Sequence, residues 1–399
     1  MPRLLLLLPS STYRAADFVA SAARLGVQTQ IAGDSEQTLA AHMAEKPLRV
    51  DFDEIDESLD TIRASHELRP IDAVVAADET GVRLGAAVVA ALGLVGNTPE
   101  AVAATRDKAL MRDRLAAGGV AQPRHQVSAG VPAGMELPCV VKPVSLSASR
   151  GVIRADTVVE THYAARRIRA MLAEDPACVG DELIFEEYVD GPEVSVEALL
   201  RGGELEVLAI FDKPDPLEGP YFEETIYVTP ARLADGAVQS VRDVTAAAAA
   251  ALGLVEGPVH AELRLGAAGP VVIEVAARSI GGLCSRTLRF GAGISLEDLI
   301  VRHACAMPVD DTSRAGAASG VMMLPISREG TLAGVDGIDE ALDTDGITGI
   351  EITIPPGRHV RPPPEGDRYL GFLFARAESA DAAEAALRAA HARLDIRIE

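Results

Sequence analysis

The stretch 257–282, GPVHAELRLGAAGPVVIEVAARSIGG, carries His260, Glu262, Arg264, Glu274 and Arg278 on two apolar, β-branched runs around a small-residue turn from Gly266 to Gly269. That pattern reads as a β-hairpin. A turn over Ala267, Ala268 and Gly269 sets Glu262 opposite Glu274, with Cβ atoms about 4.5–5.5 Å apart. Like charges so placed destabilise a sheet unless something positive lies between them. A hard divalent cation, which prefers oxygen ligands, is the economical filler. Period-2 alternation puts His260, Arg264, Ala276 and Arg278 on the same face. Two acids and two permanent cations on one surface suit a metal-bound polyphosphate. A hairpin face with solvated charges fits the same letters.

A second candidate lies upstream. PCVVKP, residues 138–143, is a strand with one lysine, Lys142, in an apolar setting. The loop after it, VSLSASRGV, is rich in small and hydroxyl residues. Its free N–H groups and serines can wrap phosphate oxygens, and a lysine suits phosphate as a point charge. Serine-rich loops are also ordinary surface loops. Residues 182–189, ELIFEEYV, form a strand ending in acids and broken by Asp190-Gly191-Pro192. Residues 193–201 and 204–211 pair about Gly202-Gly203, so the order here is antiparallel. The acidic segment 213–230 reads as loop, either a pocket wall holding Glu223 and Glu224 or a surface turn. Arg166, Arg167 and Arg169, on an amphipathic helix over 158–173, read as a solvated face.

The elements that position these groups begin with residues 1–95, where strand and helix patterns alternate. Residues 4–8 are a continuous leucine run, the mark of a strand covered on both faces. Helices follow at 14–25, 36–45, 56–68 and 80–92, and strands at 27–32, 48–52 and 72–77. The βαβα order implies a parallel sheet with helices on both sides. Pro9-Ser10-Ser11-Thr12 is not a GxGxxG fingerprint, so no dinucleotide site is assigned. Thr98 and Pro99 open a helix as cap and first residue, and another covers 108–117. Helices over 238–252 and 296–306 flank the hairpin. From about residue 310 the chain reads as a separate α+β module with few chemical clusters, its strands at 321–325, 349–354 and 369–377 and its helix at 380–394.

Composition narrows the function. The 399 residues allow two or three domains, and 37 basic residues against 59 acidic ones leave a net charge of −22. That balance opposes a nucleic-acid surface, and the absence of tryptophan opposes a base-stacking platform. Cys139, Cys178, Cys284 and Cys305 form no CxxC pair and read as reduced thiols of a cytoplasmic protein. The five-leucine run near Met1 is too short for a secretory leader, and no stretch is long enough to span a membrane.

In combination these motifs resemble the ATP-grasp superfamily over about residues 1–310. The resemblance implies a pre-grasp domain over 1–97. An ATP-grasp domain over 98–309 follows, with a lid-bearing part to about 185 and a catalytic part from 186, and then a C-terminal α+β domain over 310–399. It implies Lys108 and Lys142 as the nucleotide lysines and Ser145, Ser147, Ser149 and Gly151 as parts of the phosphate-covering loop. Glu186 is implied for the adenine amine, Glu187, Tyr188 and Val189 for the ring edge, and Glu193 for the ribose. Glu262 and Glu274 match the metal acids, and Arg278 the arginine that stabilises the transferring phosphate. Within the superfamily the chain looks like the L-amino-acid ligase branch of the carboxylate–amine ligases. One departure stands at Ala276, where many members carry an asparagine ligand.

The implied reaction is ATP-driven amide formation through an acyl phosphate, with Mg²⁺ or Mn²⁺, on small-molecule carboxylate and amine substrates. Glu223, Glu224, His260, Arg278, Gly281 and Gly282 are the candidate substrate contacts. Neither nucleic acid nor membrane is implied as a partner, and a homodimer is allowed. A carboxylase-like or purine-pathway relative and a non-catalytic nucleotide-binding regulator are the alternatives.

Overall fold

The computed structural model describes residues 1–35, 45–174, 182–366 and 368–399. The expected helix over 36–45, all but its last residue, and Cys178 lie outside these residues.

The chain opens with β1 (Arg3–Leu7), α1 (Ala15–Arg24), β2 (Gln28–Gly33), β3 (Leu48–Arg49), α2 (Ile55–Leu68), β4 (Ala73–Ala76) and α3 (Val82–Leu92). The strands form a parallel sheet in the order β3-β2-β1-β4. The leucine run is central and fully buried. Leu4, Leu6 and Leu8 pack with Phe18 of α1, while Leu5 and Leu7 pack with Leu59, Ile62 and Leu84 of α2 and α3. Its lack of alternation is the consequence of cover on both faces.

Helices α4 (Pro99–Arg106) and α5 (Lys108–Ala117) follow, capped by the side chains of Thr98 and Asp107. Strands β5 (His125–Ser128), β6 (Cys139–Pro143) and β7 (Ile153–Ala155), helix α6 (Val158–Glu174) and β8 (Leu183–Glu187) make an antiparallel layer in the order β5-β8-β6-β7. Ala164, Ala165 and Ile168 of α6 seal its back against Cys139, Val141 and Phe185.

Next come β9 (Glu193–Arg201), β10 (Glu204–Asp212), β11 (Ile226–Thr229), α7 (Asp235–Leu252), β12 (Gly257–Gly266), β13 (Gly269–Ala276) and α8 (Leu296–Ala304). The tail supplies β14 (Ala318–Met323), β15 (Gly330–Asp336), α9 (Ile338–Leu342), β16 (Ile347–Ile352), β17 (His359–Val360), β18 (Gly371–Ala377), α10 (Ala380–His391) and β19 (Asp395–Ile398).

The tail is not detached. β14 pairs with β11, and a single eight-stranded sheet runs β13-β12-β9-β10-β11-β14-β18-β16. The segment 213–230 therefore is not all loop: its last turn of sequence is the strand that carries the sheet across. On its apolar face α7 packs on Val194, Val196, Ala261, Leu263 and Val275. The other face is charged and forms the site.

Arg14, fully buried, ties the first sheet's helix layer to this sheet. It donates to Glu297 Oε1 at 2.6 Å, Ser279 Oγ at 2.6 Å and the Ile280 carbonyl at 3.1 Å. These bonds fix the loop after β13 against the loop after β1. No described helix is long and apolar enough to cross a membrane.

Candidate active site

Glu262 and Glu274 are register partners across β12 and β13, as expected, but by another route. The turn has two residues, Ala267 and Ala268, with Gly266 opposite Gly269. An unbroken ladder from such a turn would set Glu262 against Ile273 and drive Glu274 into the α7 core. A one-residue bulge between Val272 and Glu274 restores the pairing. It also lets Val272 and Val275, three apart, both reach the core.

Among the described residues, Glu262 and Glu274 are not joined to one another by any single side-chain cation. Lys213 Nζ lies 3.2 Å from Glu262, and Lys108 Nζ 3.9 Å from Glu274. Burial and the neighbouring Glu224 push the Glu262 carboxyl up, despite Lys213. Glu274 is held down against burial by Lys108, Lys142 and Arg278. Two opposed all-oxygen donors with this imbalance fit a hard divalent ion. Ala276 is the register partner of His260. The imidazole Nδ1 is 2.5 Å from Glu197 Oε1 and its Nε2 3.4 Å from Glu262 Oε1. Burial disfavours its charge, but Glu197 outweighs this and lifts it to about 9.

The crevice between the two antiparallel sheets is lined by Lys108, Lys142, Ser149, Glu186, Glu187, Tyr188, Val189, Glu193, Glu262 and Glu274. Lys142, on β6, donates to Glu186 Oε2 at 2.7 Å, and Arg112 of α5 donates to Glu186 Oε1 at 2.7 Å. Burial would raise the Glu186 carboxyl, but these two cations hold it at about 2. The Lys142 ammonium is shifted down by burial, with Glu186 opposing. The oxygens of Glu186 are thus engaged by protein, although each can accept a second hydrogen bond. Glu193 is similar, with Lys213 at 2.7 Å and Arg264 at 3.0 Å. Tyr188 is stacked by two guanidinium groups, Arg154 at 4.1 Å and Arg264 at 5.0 Å from its centroid.

Over the crevice lies the serine loop. Ala148 and Ser149 both adopt left-handed backbone, with φ of 57° and 55°. Lys108 Nζ donates to the Leu146 carbonyl at 2.5 Å. Ser147 and Ser149 face the cavities, but Ser145 is exposed and lines neither. The Gly151 N–H is given to the Pro364 carbonyl at 3.0 Å, so the tail holds the loop's end. With the loop in this position the crevice has a volume of about 80 Å³. Small-molecule sites run to roughly 300–1,000 Å³, so a ligand of that size would enter only with the loop lifted.

A cavity of about 380 Å³ adjoins the crevice through Glu224, Glu262, Glu274 and Ser149. Arg278, His260, Gly281 and Gly282 line it, with Ser11, Thr12, Asp78 and Glu79 from the first domain. Gly282 has φ of 57°, and a Cβ there would stand 2.8 Å from the Phe372 ring. Arg278 donates to Glu79 at 2.8 Å. Glu224 accepts from Lys213 at 2.7 Å and from Tyr369 Oη at 3.1 Å. Glu223 is not in this cavity; it lines a small neighbouring one with Arg361 and Arg368.

Sequence reasoning missed Arg14, Asp78, Glu79, Arg112 and Lys213. Lys213 is the most consequential. It is buried amid Glu193, Glu224 and Glu262, whose oxygens lie within 4.8 Å of one another. Those acids raise it well above the usual lysine value, against its burial. A lysine directly after a strand, before PDP, was the available signal. The helix pattern predicts a solvated Arg167; it instead donates to both oxygens of Glu365, at 2.7 and 2.9 Å.

Residues 135–287 match the ATP-grasp domain family, and residues 322–399 match the L-amino acid ligase C-terminal domain 2 family. Among solved structures, the L-amino acid ligase from Bacillus licheniformis superposes with a TM-score of 0.83 at 25% identity, over 100% of this chain and 99% of that one. Dapdiamide A synthase from Enterobacter agglomerans is 27% identical over 238 residues, which is 57% of this chain and 55% of that protein. A D-alanine–D-alanine ligase from Flavobacterium johnsoniae is 33% identical over 176 residues, 41% of this chain and 50% of that protein. The chain spans about half the length of these two curated relatives. Residues 135–287 thus carry an ATP-grasp domain, and the chain as a whole shares the fold of a solved L-amino acid ligase. Its C-terminal module resembles the L-amino acid ligases in particular.

Proposed function

We propose that the protein is an ATP-dependent carboxylate–amine ligase that uses an amino acid as a substrate and releases ADP and phosphate. The observation carrying this reading is the continuity of the lysine-lined crevice with a second cavity, through the opposed pair Glu262 and Glu274. A nucleotide in the crevice would place its terminal phosphate at that junction. The proposed modules are 1–97, 98–309 and 310–399, acting in the cytoplasm.

In the proposed mechanism Glu187, Tyr188 and Val189 border the base and Glu193 the ribose. Glu186 fixes Lys142, which with Lys108 neutralises the phosphates. Ser147 and Ser149 cover them. Mg²⁺, or Mn²⁺, held by Glu262 and Glu274 would supply charge neutralisation at the β- and γ-phosphates. A substrate carboxylate oxygen attacks the γ-phosphorus; that O–P bond forms and the β–γ bridge breaks, giving ADP and an acyl phosphate. Arg278, which lines the second cavity, would stabilise the transferring group. An amine nitrogen then attacks the acyl carbon, the C–O bond breaks, and phosphate leaves. Transfer of this kind is chiefly positioning and charge neutralisation. The closed serine loop keeps out the water that would hydrolyse the intermediate.

The test is release of ADP and phosphate across single and paired amino acids, with Glu274→Ala as control. Release that depends on a given pair and vanishes in the variant supports the reading. Release indifferent to added amino acids, or unaffected by the substitution, overturns it.

A further inference from the structure

The second cavity contains acids that are accounted for and one that is not. Glu79 holds Arg278 and Arg106. Glu224 and Glu262 share Lys213, and Glu274 faces Lys108. Asp78 makes no ion pair among the described residues, although it lines the same cavity. It stands just beyond the carboxyl end of β4, where open α/β sheets present their ligands. Its Oδ1 accepts the Thr80 N–H at 3.0 Å. That bond orients the carboxylate.

We propose that Asp78 receives the ammonium group of the amine substrate, presenting that nitrogen from the first domain toward the acyl group made at Glu262 and Glu274. This rests on the ligase reading above and adds the residue that recognises the nucleophile. The charge pattern supports it. Every other acid of the cavity has a cationic side chain in ion-pair contact; Asp78 feels the charge of Arg278, which is paired to Glu79, but makes no ion pair with it, so its oxygens are left to a cation that arrives with the ligand. To react, the ammonium must shed one proton; the proton passes to the Asp78 carboxylate, and the freed lone pair attacks the acyl carbon. Burial raises the Asp78 carboxyl, which suits it to hold that proton.

A purely structural role is also open to this residue, because Asp78 caps the short turn 79–81. Serine and asparagine cap as well as aspartate, so Asp78→Asn and Asp78→Ser keep the cap and remove the charge. The experiment compares two nucleophiles on the holoenzyme with ATP and Mg²⁺. One is the amino acid acceptor, cationic before it reacts. The other is hydroxylamine, an uncharged nucleophile at neutral pH that traps an acyl phosphate as hydroxamate. A charge-assisted hydrogen bond contributes about 1.5–3 kcal/mol, which is roughly 10- to 100-fold. The proposal expects kcat/KM for the amino acid acceptor to fall by that factor in both variants. It expects the ratio of amide to hydroxamate to fall at least tenfold. Equal amide-to-hydroxamate ratios in wild type and both variants overturn the proposal and leave the ligase reading standing. No hydroxamate and no amide from the wild-type protein with any carboxylate overturns both.

Discussion

Glu262 faces Glu274 only because the chain carries one extra residue, Ile273, on the far strand of the hairpin. The bulge does a second thing: it turns the Ile273 carbonyl toward Arg112 of α5, which donates to it at 2.7 Å. Arg112 also holds Glu186 on β8 at 2.7 Å. One fully buried guanidinium therefore joins β8, at the base of the crevice, to the β12–β13 hairpin.

Replacing Arg112 tests that link. Arg112→Met leaves Glu186 with Lys142 alone and frees the bulge carbonyl. Breaking a buried pair by removing one partner costs about 3–5 kcal/mol. Urea denaturation should show a loss of that order, together with a raised KM for ATP. A variant as stable as wild type would show that the guanidinium is not the tie between the two sheets.

Acid stability follows from the same carboxylate. The Glu186 carboxyl sits at about 2 in the fold, against 4.5 when exposed. Its contribution is present above pH 4.5 and is lost as pH falls from there through 2. The shift corresponds to about 3 kcal/mol. Glu186→Gln should therefore flatten the stability profile between pH 4.5 and 2, as read by urea midpoints at each pH. Parallel profiles for the two proteins would contradict the assignment.

Lys213 neutralises three carboxylates at once, and removing it should convert them into a metal site. Lys213→Met is expected to cost about 3–5 kcal/mol in the absence of divalent ions. Glu193, Glu224 and Glu262 would then present oxygens within 4.8 Å of one another without their ammonium. Added Mg²⁺ or Ca²⁺ should raise the melting temperature of the variant more than that of wild type. An equal response would mean the three acids do not act as a cluster.

Arg167 and Glu365 join α6 to the tail, near the Gly151–Pro364 bond. Both side chains are 27% exposed, so the pair contributes little stability, about 1 kcal/mol or less. Its effect should appear in loop closure. Arg167→Ala is expected to raise the KM for ATP several-fold with less than 1 kcal/mol of change in stability. An unchanged KM would show that the tail does not help to hold the loop down.

Much of this arrangement was legible because it is local. The leucine run announced a doubly covered strand, and alternation announced the hairpin. A lone lysine in an apolar strand announced Lys142. A three-residue turn predicts the pairing of Glu262 with Glu274. A two-residue turn with a bulge gives the same register, and alternation does not separate them. The partnerships were not legible. Arg112 looks like any helix arginine, and Lys213 is one charge in an acidic stretch. What makes each matter is a contact far along the chain. β11 was hidden for the same reason: its four residues form a strand because β14, nearly a hundred residues later, pairs with it.

The claim at the centre is that a substrate carboxylate takes the γ-phosphoryl group before the amine arrives. Incubation with a donor amino acid whose carboxylate oxygens are ¹⁸O, followed by mass analysis of the phosphate, tests it directly. An acyl phosphate route transfers one ¹⁸O per turnover from carboxylate to phosphate and leaves the other in the amide. Unlabelled phosphate, formed at the rate of ADP, would contradict the account.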